Sequence, residues 1–463
     1  PARVLATTFT RKAAAELKGR IQARLLADRH LTPQARLEKA ERLELAAIGT
    51  VHSVGHHLLG RYALPLGLSP SLTVLEEGGS THTLRDLLAQ MDPQPWEHLA
   101  DLARRFSLDD PQGLVLDLLD AKRGNDIGDR AFREQMAASA ERLIGLMAPG
   151  GPGKSRVGFD ELYALMRQAL KGIEGIQDGI KKTTDAVQTL RQLVARGERV
   201  WRVFIDAGRL EAGKKKSGAD ALLQKLREAC AGILELPSFH ADMRALLVGL
   251  TERTLALEAA YAAFKQERGL LDFTDLEVWL LRLLNRPDLA AGLREEFALV
   301  VVDEFQDTNP LQLAIFQRLR SLAGGSRWVG DTKQAIYSFR GADPDLVNAV
   351  WDAVPETARE HLPKTYRSQK GLVQLVGRLF APVFGDEVRL TADRKGAQRG
   401  IRRWLLEAKN NPEEFAALAA GIARLRDEGV PLRAVAVLAR TNDHAKDMGA
   451  ALRALGLPAL LEV

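Results

Sequence analysis

Residues Phe297 to Gln312 read FALVVVDEFQDTNPLQ. An unbroken apolar run, Phe297 to Val302, is followed at once by Asp303, Glu304, Gln306 and Asp307. The run is short, β-branched and closed by carboxylates, which predicts a strand buried on both faces of a parallel sheet. Ligands of such sheets bind beyond the carboxyl ends of the strands. Asp303 and Glu304 would then stand at the lip of a site. Two adjacent carboxylates there suit a hard cation and a water: Asp303 would anchor Mg²⁺ and Glu304 would accept a proton from the attacking water. The plainer alternative for a bare Asp-Glu pair is a strand running into a solvated acidic turn. The next motif in the chain weighs against it.

Arg327 to Asp343 reads RWVGDTKQAIYSFRGAD. A second short strand, Trp328 to Gly330, again ends in a carboxylate, Asp331. Gln334, Tyr337, Phe339 and Arg340 come next. An amide, two aromatics and an arginine directly after a strand can meet phosphate on one side and stack bases on the other. DEFQDTNPLQ, VGDTKQAIYSFRGAD and the later KTYRS (Lys364 to Ser368), in this order and spacing, resemble the UvrD/Rep/RecB-type superfamily of ATP-driven DNA helicases, with wording nearest its RecB/AddA branch. The resemblance implies an α/β P-loop NTPase with RecA-like parallel sheets and a large helical insertion. It implies ATP and Mg²⁺ as cofactors, with Asp303 at the metal, Glu304 as general base and Gln334 sensing the γ-phosphate. Tyr366 would lie against the adenine, and Arg367 would reach across a cleft to the γ-phosphate. Tyr337, Phe339 and Arg340 would line the path of a DNA strand.

Composition is compatible with this. A chain of 463 residues, 46% hydrophobic and 27% charged, is ordinary for globular domains and long enough for two or three. No run approaches the length of a membrane span. The single cysteine, Cys230, excludes internal disulfides and cysteine-based zinc sites and fits a reducing, cytoplasmic setting. Residues 1–62 hold 11 Lys+Arg against 5 Asp+Glu, a surplus of +6 beside +5 for the whole chain. A basic segment suits a polyanion, although a solvated helix face explains it almost as well.

From the amino end, Val4 to Thr8 reads as a strand and Arg11 starts a helix with Ala14, Leu17, Ile21 and Leu25 on one face. At this junction Phe9 can stack on a base while Thr10 and Lys12 meet a backbone, or Phe9 can simply enter the core behind a capped helix. TTFTRKAA resembles the family's first DNA-contacting motif, which adds Thr8. GTVHS, Gly49 to Ser53, is similar to a second, placing Thr50, His52 and Ser53 near DNA. His52 and His56 stand one helical turn apart, but a zinc motif needs Glu where Ser53 stands, and no third ligand is apparent.

Residues 77–258 carry helical periodicity and few strand signals. Their lysines, Lys181, Lys182 and Lys214 to Lys216, can touch duplex backbone or sit in solvated loops. Ala148 to Ser155, APGGPGKS, fits a loose P-loop pattern, yet Glu134 to Leu146 before it reads as helix, which favours a plain Gly/Pro loop. LLDFTDL, Leu270 to Leu276, resembles another family motif, in which Asp272, Thr274 and Asp275 cap and orient a helix. Beyond KTYRS, residues 402–408, 415–426, 434–440 and 445–455 alternate strand, helix, strand, helix.

The expected partition is 1–76 and 259–355 for a first motor domain, 77–258 for a helical insertion, and 356–463 for the start of a second motor domain. The family's own P-loop should precede Pro1, and its last motifs should follow Val463, so the chain reads as part of a longer protein. The expected function is ATP-dependent helicase or translocase action on single-stranded and duplex DNA in repair or recombination, moving 3′ to 5′. A second helicase-nuclease subunit is among the partners the resemblance allows, and no membrane is expected. The rival readings are a nucleic-acid-binding protein that does not hydrolyse nucleotide, a small-molecule P-loop enzyme using Lys154, and a helical scaffold.

Overall fold

The computed structural model describes residues 2–151, 153, 158–176, 178–213, 218–337, 341–394 and 402–461. They form two compact units, residues 1–355 and 356–463. The first is built on a four-stranded sheet in the order β2-β1-β5-β6, with β1 Val4–Thr8, β2 Ala47–Thr50, β5 Leu299–Val302 and β6 Ser326–Trp328. Every pairing is parallel, so all four carboxyl ends emerge at one edge. Thr8 is level with Thr50, Thr7 with Val302, and Val302 with Trp328.

Each of these strands delivers the chain to a helix through a side-chain cap. Thr10 accepts from the Ala13 amide at the start of α1 (Arg11–Ala27). After α2 (Pro33–Arg42) and β2, Thr50 caps α3 (Val51–Arg61) by accepting from the Ser53 amide. Asn309, with Pro310 behind it, accepts from the Gln312 amide at 2.7 Å, and Asp343 accepts from Asp345 and Leu346 at the start of a later helix, Pro344–Ala353. Each such cap contributes on the order of 1 kcal/mol and sets where the chain turns.

The insertion follows as α4 (Glu77–Gln90), α5 (Pro93–Arg105), α6 (Pro111–Gly124), α7 (Asp129–Met147), α8 (Phe159–Ile173), α9 (Lys181–Arg196), α10 (Trp201–Ala207), α11 (Gly218–Ala231) and α12 (Pro237–Arg268). No strand occurs between residues 77 and 258 among the described residues. These helices enclose their own core around Trp201, Phe204, Leu162, Met166 and Leu257, separate from the core under the sheet. Residue 258 falls inside α12, one unbroken helix of 32 residues that ends against the sheet domain. There β4 (Leu270–Leu271) pairs with β3 (Thr73–Val74). The chain then enters α13 (Phe273–Leu284), α14 (Ala290–Glu296), α15 (Pro310–Leu322) and α16 (Pro344–Ala353). The core of the sheet domain joins Leu5, Val300 and Val302 to Val54, Leu58, Leu276, Leu280, Ile315 and Phe316, that is, to α3, α13 and α15.

The strand of the DEFQD segment is buried on one face only. Val300 and Val302 are enclosed, while Leu299 and Val301 are half-buried. The strand enclosed on both faces is β1, because α1 packs over β1 and β2 and gives β5 little cover. β6 begins two residues before the expected Trp328, although the Val329 amide still donates to the Val302 carbonyl at 2.8 Å.

The second unit pairs β7 (Lys364–Gln369) with β8 (Thr391–Arg394) in parallel around α17 (Lys370–Phe384), then adds α18 (Asn411–Asp427) and α19 (Asn442–Ala454). Residues 402–408 and 434–440, expected as strands, carry no strand. A strand exists only through a neighbour's backbone groups, and no described neighbour pairs with either segment. Both of the expected helices are present. Among the described residues no helix is long and apolar enough to cross a membrane.

Candidate nucleotide and nucleic-acid site

The carboxyl edge of the first sheet gathers several of the side chains singled out from the sequence. Thr8 and Thr50 are the last residues of β1 and β2, and Asp303 and Asp331 come after the ends of β5 and β6. The Asp303 amide continues the ladder by donating to the Thr7 carbonyl at 2.9 Å. Glu304 then departs from it: its φ of 51° and ψ of 44° are left-handed, which a residue with a Cβ rarely adopts. Such a conformation costs on the order of 1–3 kcal/mol and persists where its surroundings over-determine it. Here they do. The Glu304 amide donates to Asp303 Oδ1 at 3.1 Å, and the Glu304 carboxylate accepts from Gln306 Nε2 at 2.7 Å.

Gln306 is buried and bridges two strands. Its Oε1 accepts from the Asp331 amide at 2.9 Å. The Asp331 carboxylate in turn accepts from Gln334 Nε2 at 2.8 Å and pairs with Lys333 at 3.0 Å. A continuous path thus runs Glu304–Gln306–Asp331–Gln334. Gly330 permits it. A Cβ there would stand 2.8 Å from Gln306 Oε1, 3.1 Å from the Gln306 nitrogen and 3.2 Å from Phe305 Cβ. Gly330→Ala is therefore expected to push Gln306 off the bridge. Overpacking of this kind costs about 1–3 kcal/mol, so the melting temperature of the protein should fall. Unchanged melting would count against the bridge.

The electrostatics favour a cation. Burial, with the charge of Glu304 added, pushes the Asp303 carboxyl above the usual carboxylate range, despite the Glu304 amide. Burial and Glu304 push Asp307 the same way, and its buried Oδ1 has no hydrogen-bond partner among the described residues. Asp331 is held low: burial would raise it, but the Gln334 and Lys333 contacts outweigh that. Neither Asp303 nor Glu304 forms an ion pair with a lysine, arginine or histidine among the described residues. Oxygen donors short of positive charge fit Mg²⁺, which commonly takes one or two carboxylates and completes its shell with phosphates and waters. It needs no protein cage, and among the described residues no group of three or more His, Cys, Asp or Glu is arranged to hold a metal ion by itself.

On the β1–β2 side of the edge, Thr8 donates through Oγ1 to the Thr10 carbonyl at 3.0 Å, and Lys12 lies exposed on the first turn of α1. The Phe9 ring lies 4.6 Å from the Tyr337 ring, centroid to centroid, so the two motifs share one aromatic surface. Thr50 and Ser53 are bonded to each other at the start of α3. His52 is held by Glu277 at 3.0 Å and stacks on Phe273, while His56 Nε2 meets the Leu72 carbonyl at 3.2 Å. Both histidines have protein partners and do not converge on a metal. Phe339 and Arg340 lie outside the described residues, as do Lys154, Ser155 and Lys214 to Lys216. The segment before Lys154 is α7, a helix and not the strand a P-loop follows. Tyr366 and Arg367 lie exposed on β7 in the other unit, with the Arg367 carbonyl accepting from Arg394 at 2.8 Å.

Gln306, Gly330, Glu277, Asn309 and Gln312 were given no role by the sequence. Gln306 was visible there only as one of four polar residues after an apolar run, and no periodicity marks a buried side chain spanning two strands.

A parallel sheet with capped helices, acidic and amide side chains along its carboxyl edge, and a helical insertion defines an α/β protein of the P-loop NTPase fold. The model of the UvrD/REP helicase N-terminal domain matches residues 1–355, and the chain belongs to that family. Among curated proteins it is similar to an ATP-dependent helicase/nuclease subunit of Moorella thermoacetica, 30% identical over 465 residues that cover 83% of this chain and 32% of that protein. It is 25% identical to the protein of the same name from Carboxydothermus hydrogenoformans over 436 residues, 85% of this chain and 37% of that one. The Bacillus velezensis counterpart is 25% identical over 451 residues, 83% and 36% respectively. The chain thus spans about a third of the length of the curated relatives it matches.

Proposed function

We propose that this chain is the core of an ATP-driven DNA helicase or translocase that tracks single strands 3′ to 5′ in repair or recombination. The observation that carries the proposal is the shared carboxyl edge, where an acid pair and a sensor amide stand beside an aromatic and hydroxyl-lined lip. The relatives share the name of an ATP-dependent helicase/nuclease subunit, which supports it, and with it a helicase-nuclease partner; a cytoplasmic setting belongs to the same proposal. Residues 1–76 and 259–355 would form the first motor domain, 77–258 its insertion, and 356–463 the start of the second.

Asp303 would hold Mg²⁺, which when bound neutralises charge on the phosphate oxygens. Glu304 takes a proton from the attacking water, its carboxylate oriented by Gln306. Gln334 is the phosphate sensor: one N–H of its amide is held by Asp331, whose own backbone amide is bonded to Gln306, and the second N–H is left for a phosphate. Tyr366 is assigned to the adenine and Arg367 to transition-state charge, both on motif resemblance. Thr8, Phe9, Thr10, Lys12, Thr50, His52, Ser53 and Tyr337, with Phe339 and Arg340, would contact the strand.

In the full-length protein, single-stranded DNA should stimulate ATP hydrolysis. Phe9→Ala should raise the DNA concentration for half-maximal stimulation about tenfold, since one stacked base is worth about 1–3 kcal/mol, while nucleotide affinity changes little. Hydrolysis indifferent to single strands, or equal losses of DNA and nucleotide affinity, would refute the assignment.

A further inference from the structure

Glu277 is a buried carboxylate that the mechanism above leaves unused. It sits one turn into α13, with its side chain 6% exposed, and it accepts hydrogen bonds from three residues on two other segments, α3 and the start of α15. His52 Nε2 stands 3.0 Å and Gln312 Nε2 2.6 Å from its Oε1, and Asn309 Nδ2 stands 3.4 Å from its Oε2.

We propose that Glu277 is the positioning residue for His52 on the DNA lip, and that it joins His52 to the helix cap following the acid pair. The proposal rests on the motor reading and deepens it. Phe273 and Glu277 are four residues apart on α13 and therefore share a face. Together they hold the His52 ring at two points. Its plane lies against Phe273 with centroids 4.5 Å apart and 27° between planes, and its Nε2 is tied to Glu277. A carboxylate only accepts, so Nε2 carries the hydrogen in this contact. The His52 side chain remains 34% exposed, so a held ring still presents an edge to a bound strand.

The other donors lead toward the catalytic segment. Asn309 caps α15, and Gln312 lies on its first turn, in the same stretch as Asp303 and Glu304. A buried carboxylate is an expensive brace, since an apolar side chain of similar volume is often as stabilising. What Leu could not do is orient the imidazole and share one acceptor between the lip and the α15 cap.

The test uses the full-length protein, a single-stranded oligothymidine, binding anisotropy and DNA-stimulated ATP hydrolysis. Glu277→Leu should weaken oligothymidine binding about tenfold, the size expected for losing one charge-assisted hydrogen bond. Glu277→Gln should recover most of that loss, because its amide oxygen can still accept from His52 and Gln312. In a His52→Ala background, Glu277→Leu should weaken binding no further. If Glu277→Leu fails to fold, Phe273→Leu, which removes only the stacking half of the hold, carries the same expectation. Normal binding by Glu277→Leu, or losses that add to those of His52→Ala, would overturn the positioning role while leaving the motor reading intact. A wild-type protein whose hydrolysis ignores oligothymidine would overturn both.

Discussion

Glu304→Gln in the full-length protein is expected to lower DNA-stimulated ATP hydrolysis by about 10²–10⁴-fold, the usual worth of a general base, with nucleotide affinity kept within a few-fold. The substitution isolates basicity. Glutamine has the same shape, and its amide oxygen can accept from Gln306 Nε2 as the carboxylate does at 2.7 Å. The left-handed backbone and the Asp303 contact to the Glu304 amide do not depend on the side-chain charge. A structural loss would instead appear as weaker nucleotide binding and a lower melting temperature. Ordinary turnover in this variant would end the assignment of Glu304 as the base.

The second large effect is expected at Asp272. This carboxylate and Asp275 form a reciprocal capping box at the start of α13. Arg123 of the insertion reaches both, at 2.8 and 3.0 Å. Lys265, on the last turn of α12, donates to Asp272 at 3.0 Å and also to Asp275. The Tyr261 ring lies under both cations, 4.2 Å from the Lys265 ammonium and 5.2 Å from the Arg123 guanidinium. Asp272→Ala removes the cap and leaves two buried cations sharing one carboxylate. Breaking a buried pair from one side costs about 3–5 kcal/mol, so the denaturant midpoint of the first unit should fall clearly. An unchanged midpoint would mean that the cluster contributes no net stability.

The same cluster sets an acid limit. Burial alone would raise the Asp272 carboxyl, but Arg123 and Lys265 overcome that and bring it from 3.8 to about 2. A depressed carboxyl stabilises the fold above its unfolded value. That contribution is lost as pH falls from about 4 through about 2. A depression of this size corresponds to roughly 2 kcal/mol. Denaturant titrations across that range should show it in the wild type and not in Asp272→Asn.

The strand-to-helix junctions along the carboxyl edge were legible in the sequence because their parts are local. Thr10 and Thr50 stand where a strand hands over to a helix, and each caps that helix by accepting from the amide three residues on. The capping of α13 by Asp272 and Asp275 has the same local character. The strands expected at 402–408 and 434–440 did not form, because a strand needs a neighbour that its own residues cannot supply. For the same reason the double burial expected of the DEFQD strand fell to β1: burial depends on which helix covers a strand, and α1 covers β1 and β2.

By itself, then, the sequence determined the parallel α/β class, the helical character of residues 77–258 and the family, since short-range periodicity and contiguous motifs carry all three. Only the tertiary structure decided that Gln306 links Glu304 to Asp331, that Gly330 must lack a side chain, and that Glu277 joins His52 to α15. Each of those contacts is made between segments brought together by strand pairing or helix packing. Their strength comes from burial, which no single stretch of chain encodes.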